Sequence, residues 1–405
     1  MRTTLTALIL GLLSLGFFLR DIGNPPRYVF DEFEYIPAAN ALLTHSPYTN
    51  PEAPPMGKLM IAAGIAFFGD NAFGWRIMSA VSGVFTLVGI FLWVLLLTGQ
   101  HSVALIASLL TLLNNFLFVF SRTAMMDIYL VCFMVWALLA FTAALKLSGT
   151  RPTIRRALFL GSGVLFGFSS ASKWNGVDTL GIAIAAAVFL LWFSARSSNP
   201  EISAYADRLR QAGVLWVVAS LLIVPVLAYS ITFLPVMHNL GHPFRFRELI
   251  SMNVFIWHFR QVVVANRCMV TPWYQWPVQF QPLRNLSYLV GNWYVMWGGL
   301  AALLLCARRF GRCVPETLVI VLYAGNLLQW AITPQNGFFY YYYYFPAALF
   351  LGVAMALALR QFPERLFGVR LRILCALPAF VVFAYCFPRM ANLPPPFDCT
   401  LGCWP

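Results

Sequence analysis

Long apolar runs separated by short polar clusters organise this chain from end to end. A helix needs about 17–25 apolar residues to cross bilayer hydrocarbon. Read on that scale, the pattern predicts spans near 3–19, 77–98, 102–120, 125–145, 156–172, 176–195, 213–234, 290–306, 315–333, 343–359 and 372–388. The first run has the size of a signal-peptide core, but Arg20, Asp21, Ile22, Gly23, Asn24 and Pro25 follow it in place of a small-residue cleavage site. It is therefore read as an uncleaved helix. The expectation is an all-α polytopic membrane protein of about 11 transmembrane helices.

Basic residues orient the spans. With the amino terminus inside, the inner loops hold Lys146, Arg151, Arg155 and Arg156, then Arg196, Arg208 and Arg210. Further inner loops hold Arg308, Arg309 and Arg312, then Arg360, Arg365, Arg370 and Arg372. Short, strongly basic loops mark the cytoplasmic side. The opposite side receives two long loops, 20–76 and 235–289, and with them Asp21, Asp31, Glu32, Glu34, Glu52, Asp70 and Glu248. This divides the chain into a membrane core at 1–234 that includes the first outer loop, the second outer loop at 235–289, C-terminal helices at 290–388 and an outer tail at 389–405. Ionised groups in hydrocarbon are costly, so carboxylates gathered in one outer loop point to a site at the outer interface.

Composition agrees. Hydrophobic residues make up 60% of the 405 and charged residues 10%, against about 25% charged in a soluble domain. The net charge of +13 is not a nucleic-acid footprint, because the cations lie in short clusters between apolar runs and not along one soluble face. The eight cysteines show no zinc-knuckle spacing. Cys132, Cys306, Cys313, Cys375 and Cys386 read as small buried hydrophobes. Cys399 and Cys403, in the Pro-rich tail, leave two pairings open: with each other, or one of them with Cys268.

Candidate chemistry starts in the first outer loop. Phe30-Asp31-Glu32-Phe33-Glu34-Tyr35 is followed by Glu52-Ala53-Pro54-Pro55-Met56-Gly57-Lys58, where two prolines set a turn before a short interfacial helix from Leu59 to Phe68. A carboxylate held there can act as general base toward a hydroxyl; solvated loop charges are the alternative. Ser121-Arg122-Thr123-Ala124-Met125-Met126-Asp127 and Lys173-Trp174-Asn175-Gly176 bring two cations to the same side, where neither serves as a cytoplasmic anchor. Two readings stand for each: an ion pair, such as Arg122 with Asp127, or a cationic seat for a phosphate. The run Tyr340–Tyr344 reads either as an interfacial aromatic belt or as a wall of the site.

Taken in order, these segments resemble the bacterial type of protein O-mannosyltransferase within the GT-C superfamily. The resemblance is carried by Asp31-Glu32 after the first span, Pro54-Pro55-Met56-Gly57-Lys58, Phe73-Gly74-Trp75-Arg76, and Ser121 through Ile128. It continues through Lys173-Trp174-Asn175-Gly176, Pro272-Trp273-Tyr274-Gln275-Trp276-Pro277, Gly291-Asn292 and Tyr343-Tyr344-Phe345-Pro346. The family usually has histidine where Ala53 stands. Glu52 beside it is similar instead to the Glu-Lys-Pro-Pro element of the transferases that add aminoarabinose to lipid A.

The resemblance implies a GT-C fold, with an extracytoplasmic active site under the first loop. It implies a mannose donor on a polyprenyl or dolichyl monophosphate, and a Ser or Thr hydroxyl of a secreted protein as acceptor. Asp31 becomes the expected catalytic base, with Glu32, Glu52 and Arg122 in the substrate site. Lys58 and Lys173 join them as phosphate candidates on charge and position. The expected reaction inverts the anomeric carbon and uses no metal or other cofactor; the expected location is a bacterial cytoplasmic membrane. Transfer to lipid A or another glycolipid is the alternative within the superfamily. A transporter, from another class, would instead place ionisable groups near the bilayer midplane.

Overall fold

The computed structural model describes residues 2–149, 151–193, 199–241, 245–262, 270–279, 289–332, 338–363, 365–366 and 369–391. Helix α1 (Arg2–Leu19) leads into a connecting segment that carries α2 (Glu32–Thr44) and α3 (Met56–Phe68). There follow α4 (Ala72–Thr98), α5 (His101–Leu112), α6 (Asn115–Phe120), α7 (Met126–Lys146), α8 (Pro152–Ser172), α9 (Gly176–Phe193) and α10 (Pro200–Ala212). An interrupted helix is next, built from α11 (Val214–Val218), a π turn at Ala219–Ile223, α12 (Val224–Ile231) and α13 (Leu234–Asn239). Then come α14 (Phe246–Val262), α15 (Trp293–Ala307), α16 (Val314–Leu328), α17 (Phe345–Ala358) and α18 (Leu371–Met390). Antiparallel pairs join β1 (Val270–Pro272) to β2 (Phe338–Tyr340) and β3 (Arg365–Leu366) to β4 (Val369–Arg370).

Each of the eleven apolar stretches holds a helix. Among the described residues, six segments are long and apolar enough to cross a membrane: α1, α4, α7, Val214–Asn239, Tyr341–Gln361 and α18. Every residue of α17 is buried, packed among α5, α15 and α16, so this helix forms the centre. By contrast, α1 and α18 leave most of their residues exposed or only partly buried and lie at the rim.

The stretch 102–120 departs from a single straight helix. It breaks between α5 and α6, where side-chain amides replace the backbone ladder as partners. Asn114 donates to the Ala348 carbonyl at 3.3 Å and Asn115 to that of Val290 at 2.8 Å. Asn292, which caps α15, donates to the carbonyls of Leu113 and Ala379. Amides inside an apolar bundle need partners, and these draw four segments to one point.

Small residues set the closest approaches. In α8, a Cβ at Gly163 would sit 1.9 Å from the Ser220 carbonyl oxygen, and one at Gly167 would sit 2.5 Å from that of Pro225. Backbone-to-backbone packing of this kind substitutes for a hydrophobic driving force between apolar helices. At the turn into α4, the Asn71 side chain accepts from the Phe73 and Gly74 N–H groups. Asp70 beside it accepts from Trp75 Nε1 at 2.6 Å and from Asn40 at 3.0 Å. The first connecting segment is thereby fastened to the start of α4.

Candidate active site

A cavity of about 310 Å³ opens where α2, the 50–54 loop, the start of α7, the end of α8, α14 and the tyrosine run meet. Asp31, Glu34, Tyr35, Glu52, Lys173 and Tyr342 supply its main polar groups. Phe30 adopts a φ of 53°, an uncommon backbone state for an aromatic residue. The chain turns there, and Asp31 caps α2, its carbonyl accepting from the Glu34 and Tyr35 N–H groups.

The Asp31 carboxylate is held at one oxygen. Tyr35, one turn along α2, donates to Oδ2 at 3.1 Å, and Tyr342 donates to the same atom at 3.2 Å. Burial raises the Asp31 pKa to about 6. Lys173 and the two phenols pull it down and Asp127 pushes it up, but burial prevails. Tyr35 is itself raised well above the phenol range, by burial first and by Asp31 second, so it stays protonated and donates. The result is a carboxylate basic enough to accept a proton near neutrality.

Lys173 follows the last residue of α8. Its ammonium lies 2.8 Å from Asp127 Oδ1, and both side chains are buried. It also sits 4.1 Å from the Tyr343 ring centroid and 4.8 Å from that of Tyr342, within cation–π range. Asp127 Oδ2 is buried with no hydrogen-bond partner among the described residues. The Arg122–Asp127 pair considered from sequence is therefore replaced by Lys173–Asp127. A cation beside a raised carboxylate can seat an anionic leaving group opposite a base.

Three of the six expected site residues are elsewhere. The Glu32 carboxylate takes two bonds of 2.8 Å from Arg76, one of 2.8 Å from the Ala124 N–H and one of 2.9 Å from the Val29 N–H. Arg76 donates in addition to the carbonyls of Ile22, Pro25 and Arg27. Glu32 and Arg76 are 0% and 1% exposed, so their pair is a clamp joining the first loop to α4 and to the turn before α7. Arg122 donates to the carbonyls of Phe18, Arg20 and Asp21, closing the end of α1. Lys58 is wholly buried and donates to the Asn50 carbonyl, the Asn50 side chain and the Ala53 carbonyl. Burial lowers its pKa to about 7, against an upward pull from Glu52. In this state Lys58 shapes the loop that presents Glu52 and does not itself line the cavity.

The tyrosine run divides by position. Tyr340, Tyr342 and Tyr343 line the cavity. Tyr341 and Tyr344 turn inward, Tyr341 to accept from the Gly291 N–H and Tyr344 to bond Tyr323. The Pro-Trp-x-x-Trp-Pro segment is clipped alongside by β1–β2, with Trp276 fully buried against Trp330, Phe339 and Tyr344. Tyr35 is a contributor to which the sequence assigned no role, although it closes the quoted Phe30–Tyr35 segment; Tyr342 belongs to the run read as either an aromatic belt or a wall, and it lines the cavity. The pairings considered for Cys268, Cys399 and Cys403 lie outside the described residues.

Comparison with known proteins converges on one group. Residues 52–232 match the family described as dolichyl-phosphate-mannose-protein mannosyltransferase. The polyprenol-phosphate-mannose–protein mannosyltransferase of Mycobacterium tuberculosis is 27% identical over 96% of this chain and 87% of its own length. Among solved structures, the S. cerevisiae protein O-mannosyltransferase Pmt1-Pmt2 complex bound to the sugar donor matches with a TM-score of 0.79 at 13% identity, over 97% of this chain and 91% of that one. ArnT from Cupriavidus metallidurans bound to undecaprenyl phosphate matches at 0.64 and 16% identity, over 95% of this chain and 63% of that one. At such identities the structural likeness establishes the fold, which this chain shares with those two solved structures.

Proposed function

We propose that this chain, a membrane glycosyltransferase of the GT-C superfamily and a relative of the protein O-mannosyltransferases, moves mannose from a polyprenyl phosphate to Ser or Thr hydroxyls of secreted proteins. The observation that carries the proposal is Asp31: a carboxylate raised to about 6, gripped at one oxygen by two phenols, and sharing its cavity with Lys173. The acceptor hydroxyl gives its proton to Asp31 and attacks the anomeric carbon. The bond to the carrier phosphate breaks on the opposite face, so the configuration inverts. Lys173 stabilises the charge gathering on the departing phosphate, and the step as written uses no metal.

The orientation that suits this chemistry has about eleven spans. The catalytic 20–76 loop and the 235–289 loop then face away from the cytosol in a bacterial inner membrane. The membrane core at 1–234, Phe259 of the 235–289 loop and the 290–388 segment line the cavity, and the 389–405 tail lies on the same outer side. Because the carrier's hydrocarbon tail stays in the bilayer, only its phosphate and sugar need reach Asp31.

Glu52 in the cavity wall, with the motif it resembles, supports a second reading: transfer to lipid A or another glycolipid. Purified protein in lipid, given labelled polyprenyl-phosphate-mannose with a Ser/Thr peptide or with lipid A, separates the two. Label in the peptide is expected. Label in lipid A favours the second reading, and label in neither sinks both. Accessibility labelling that found residues 31 and 122 in different compartments would refute the topology.

A further inference from the structure

We propose that a second cavity, at the far end of α7 from Asp31, holds an acyl chain of an anionic phospholipid from the cytoplasmic leaflet. Met126 of α7 lines the Asp31 cavity and Leu145 lines this one. The 19 residue steps between them span about 29 Å of helix, close to the roughly 30 Å hydrocarbon thickness of a bilayer. On the orientation proposed above, the second cavity opens at the depth of the inner leaflet.

Its volume is about 440 Å³, within the range of small-molecule sites. Leu138 and Phe141 of α7, Ile182 and Phe189 of α9, and Leu318 and Val321 of α16 are typical of its wall. The three hydroxyls in the wall are already engaged. Thr142 accepts from Trp93 Nε1, Tyr205 donates to Glu201, and Thr317 donates to the Cys313 carbonyl while accepting from the Gly311 N–H. Such a lining offers water little, and leaving so large a space empty would forfeit packing. Hydrocarbon fits it.

Charge at the mouth selects the headgroup. Phe310 and Gly311 in the wall belong to the α15–α16 loop, which carries Arg308, Arg309 and Arg312. Ile202 and Tyr205 belong to α10, which carries Arg208 and Arg210. Asn199 joins the two by donating to the Arg312 carbonyl. Lys146 reaches the Leu97 carbonyl beside the cavity. The carboxylates nearby are Glu201 with Lys146, Asp207 with Arg210, and Glu316 between Arg309 and Arg360. Cations outnumber them, which suits a phosphate that carries no compensating ammonium.

The test is native mass spectrometry of the full chain with added phosphatidylglycerol or phosphatidylethanolamine. We expect phosphatidylglycerol to be retained preferentially, and Ala186→Trp, which fills the cavity, to reduce that retention by about tenfold. Arg309→Gln with Arg312→Gln is expected to abolish the preference. Equal retention of the two lipids by the wild type, or unchanged retention in Ala186→Trp, overturns the proposal. Should that variant fail to fold, wild-type protein is photolysed with phosphatidylglycerol bearing a diazirine at the acyl end. Cross-links at 138–145 and 182–190 are expected; cross-links confined to α1, α12 and α18 overturn it. Neither readout involves sugar transfer, so failure here is distinct from failure of the catalytic reading.

Discussion

Replacing Asp31 with Asn removes the charge and the base while keeping the shape of the side chain. The carboxylate rises from 3.8 to about 6 in the folded protein, and each pKa unit corresponds to about 1.4 kcal/mol. Ionised Asp31 therefore costs the fold up to about 3 kcal/mol. The sign follows from the raised value: the cost is absent below the unfolded pKa near 4, grows as pH rises, and is complete above 6. Asp31→Asn escapes it. The variant should melt no lower than wild type at pH 7.5, while mannosyl transfer falls by about 10²–10⁴-fold, the usual worth of a placed general base. Transfer is measured with labelled polyprenyl-phosphate-mannose and a Ser/Thr peptide in lipid, and melting in the same preparation. A folded variant with near wild-type turnover would refute the role of Asp31. A variant that melts well below wild type would refute the account of its burial.

The remaining predictions use the same preparation. Wild-type transfer should be half-maximal near pH 6 and fall as pH drops further, because the active form of Asp31 is the ionised one; a rate flat from pH 5 to 8 would contradict this. Tyr342→Phe removes a hydrogen bond that lowers the Asp31 pKa, so the acidic limb of the pH–rate profile should move to higher pH. Lys173→Gln made together with Asp127→Asn neutralises both members of a buried pair, avoiding the unpaired charge that a single change leaves; donor binding should weaken while the protein stays folded, as read by donor titration and melting. Glu32→Gln breaks a fully buried pair and strands Arg76, which should cost about 3–5 kcal/mol and appear as a lower melting temperature.

Sequence and structure part company where a charge must be told from its use. Apolar length alone marked eleven stretches that each hold helix, one broken at Asn114 and one interrupted by a π turn, since in a bilayer a run of that size has few other conformations. Asp31, Glu52 and Lys173 do share one cavity. Glu32, Lys58 and Arg122 looked equivalent to them as letters, yet their polar atoms are spent on Arg76 and backbone N–H groups, on Asn50 and Ala53, and on the end of α1. Composition records that an ion is present, not which carbonyls lie within its reach. The break at Asn114 was hidden for the same reason. Asparagine in an apolar run states a need for partners, but those of Asn114 and Asn115 come from residues 348 and 290, while Asn292 takes the Leu113 carbonyl at the break.

The phenol that steadies Asp31 lies 311 positions further along the chain. A ribosome must therefore have released most of the polypeptide before the base acquires its second hydrogen bond. Nascent chains halted after α12 would carry Asp31 and Lys173 but lack Tyr342, and would be expected to stay inert. On the role proposed for Asp31, synthesis would leave the site incomplete until both halves of the chain are made.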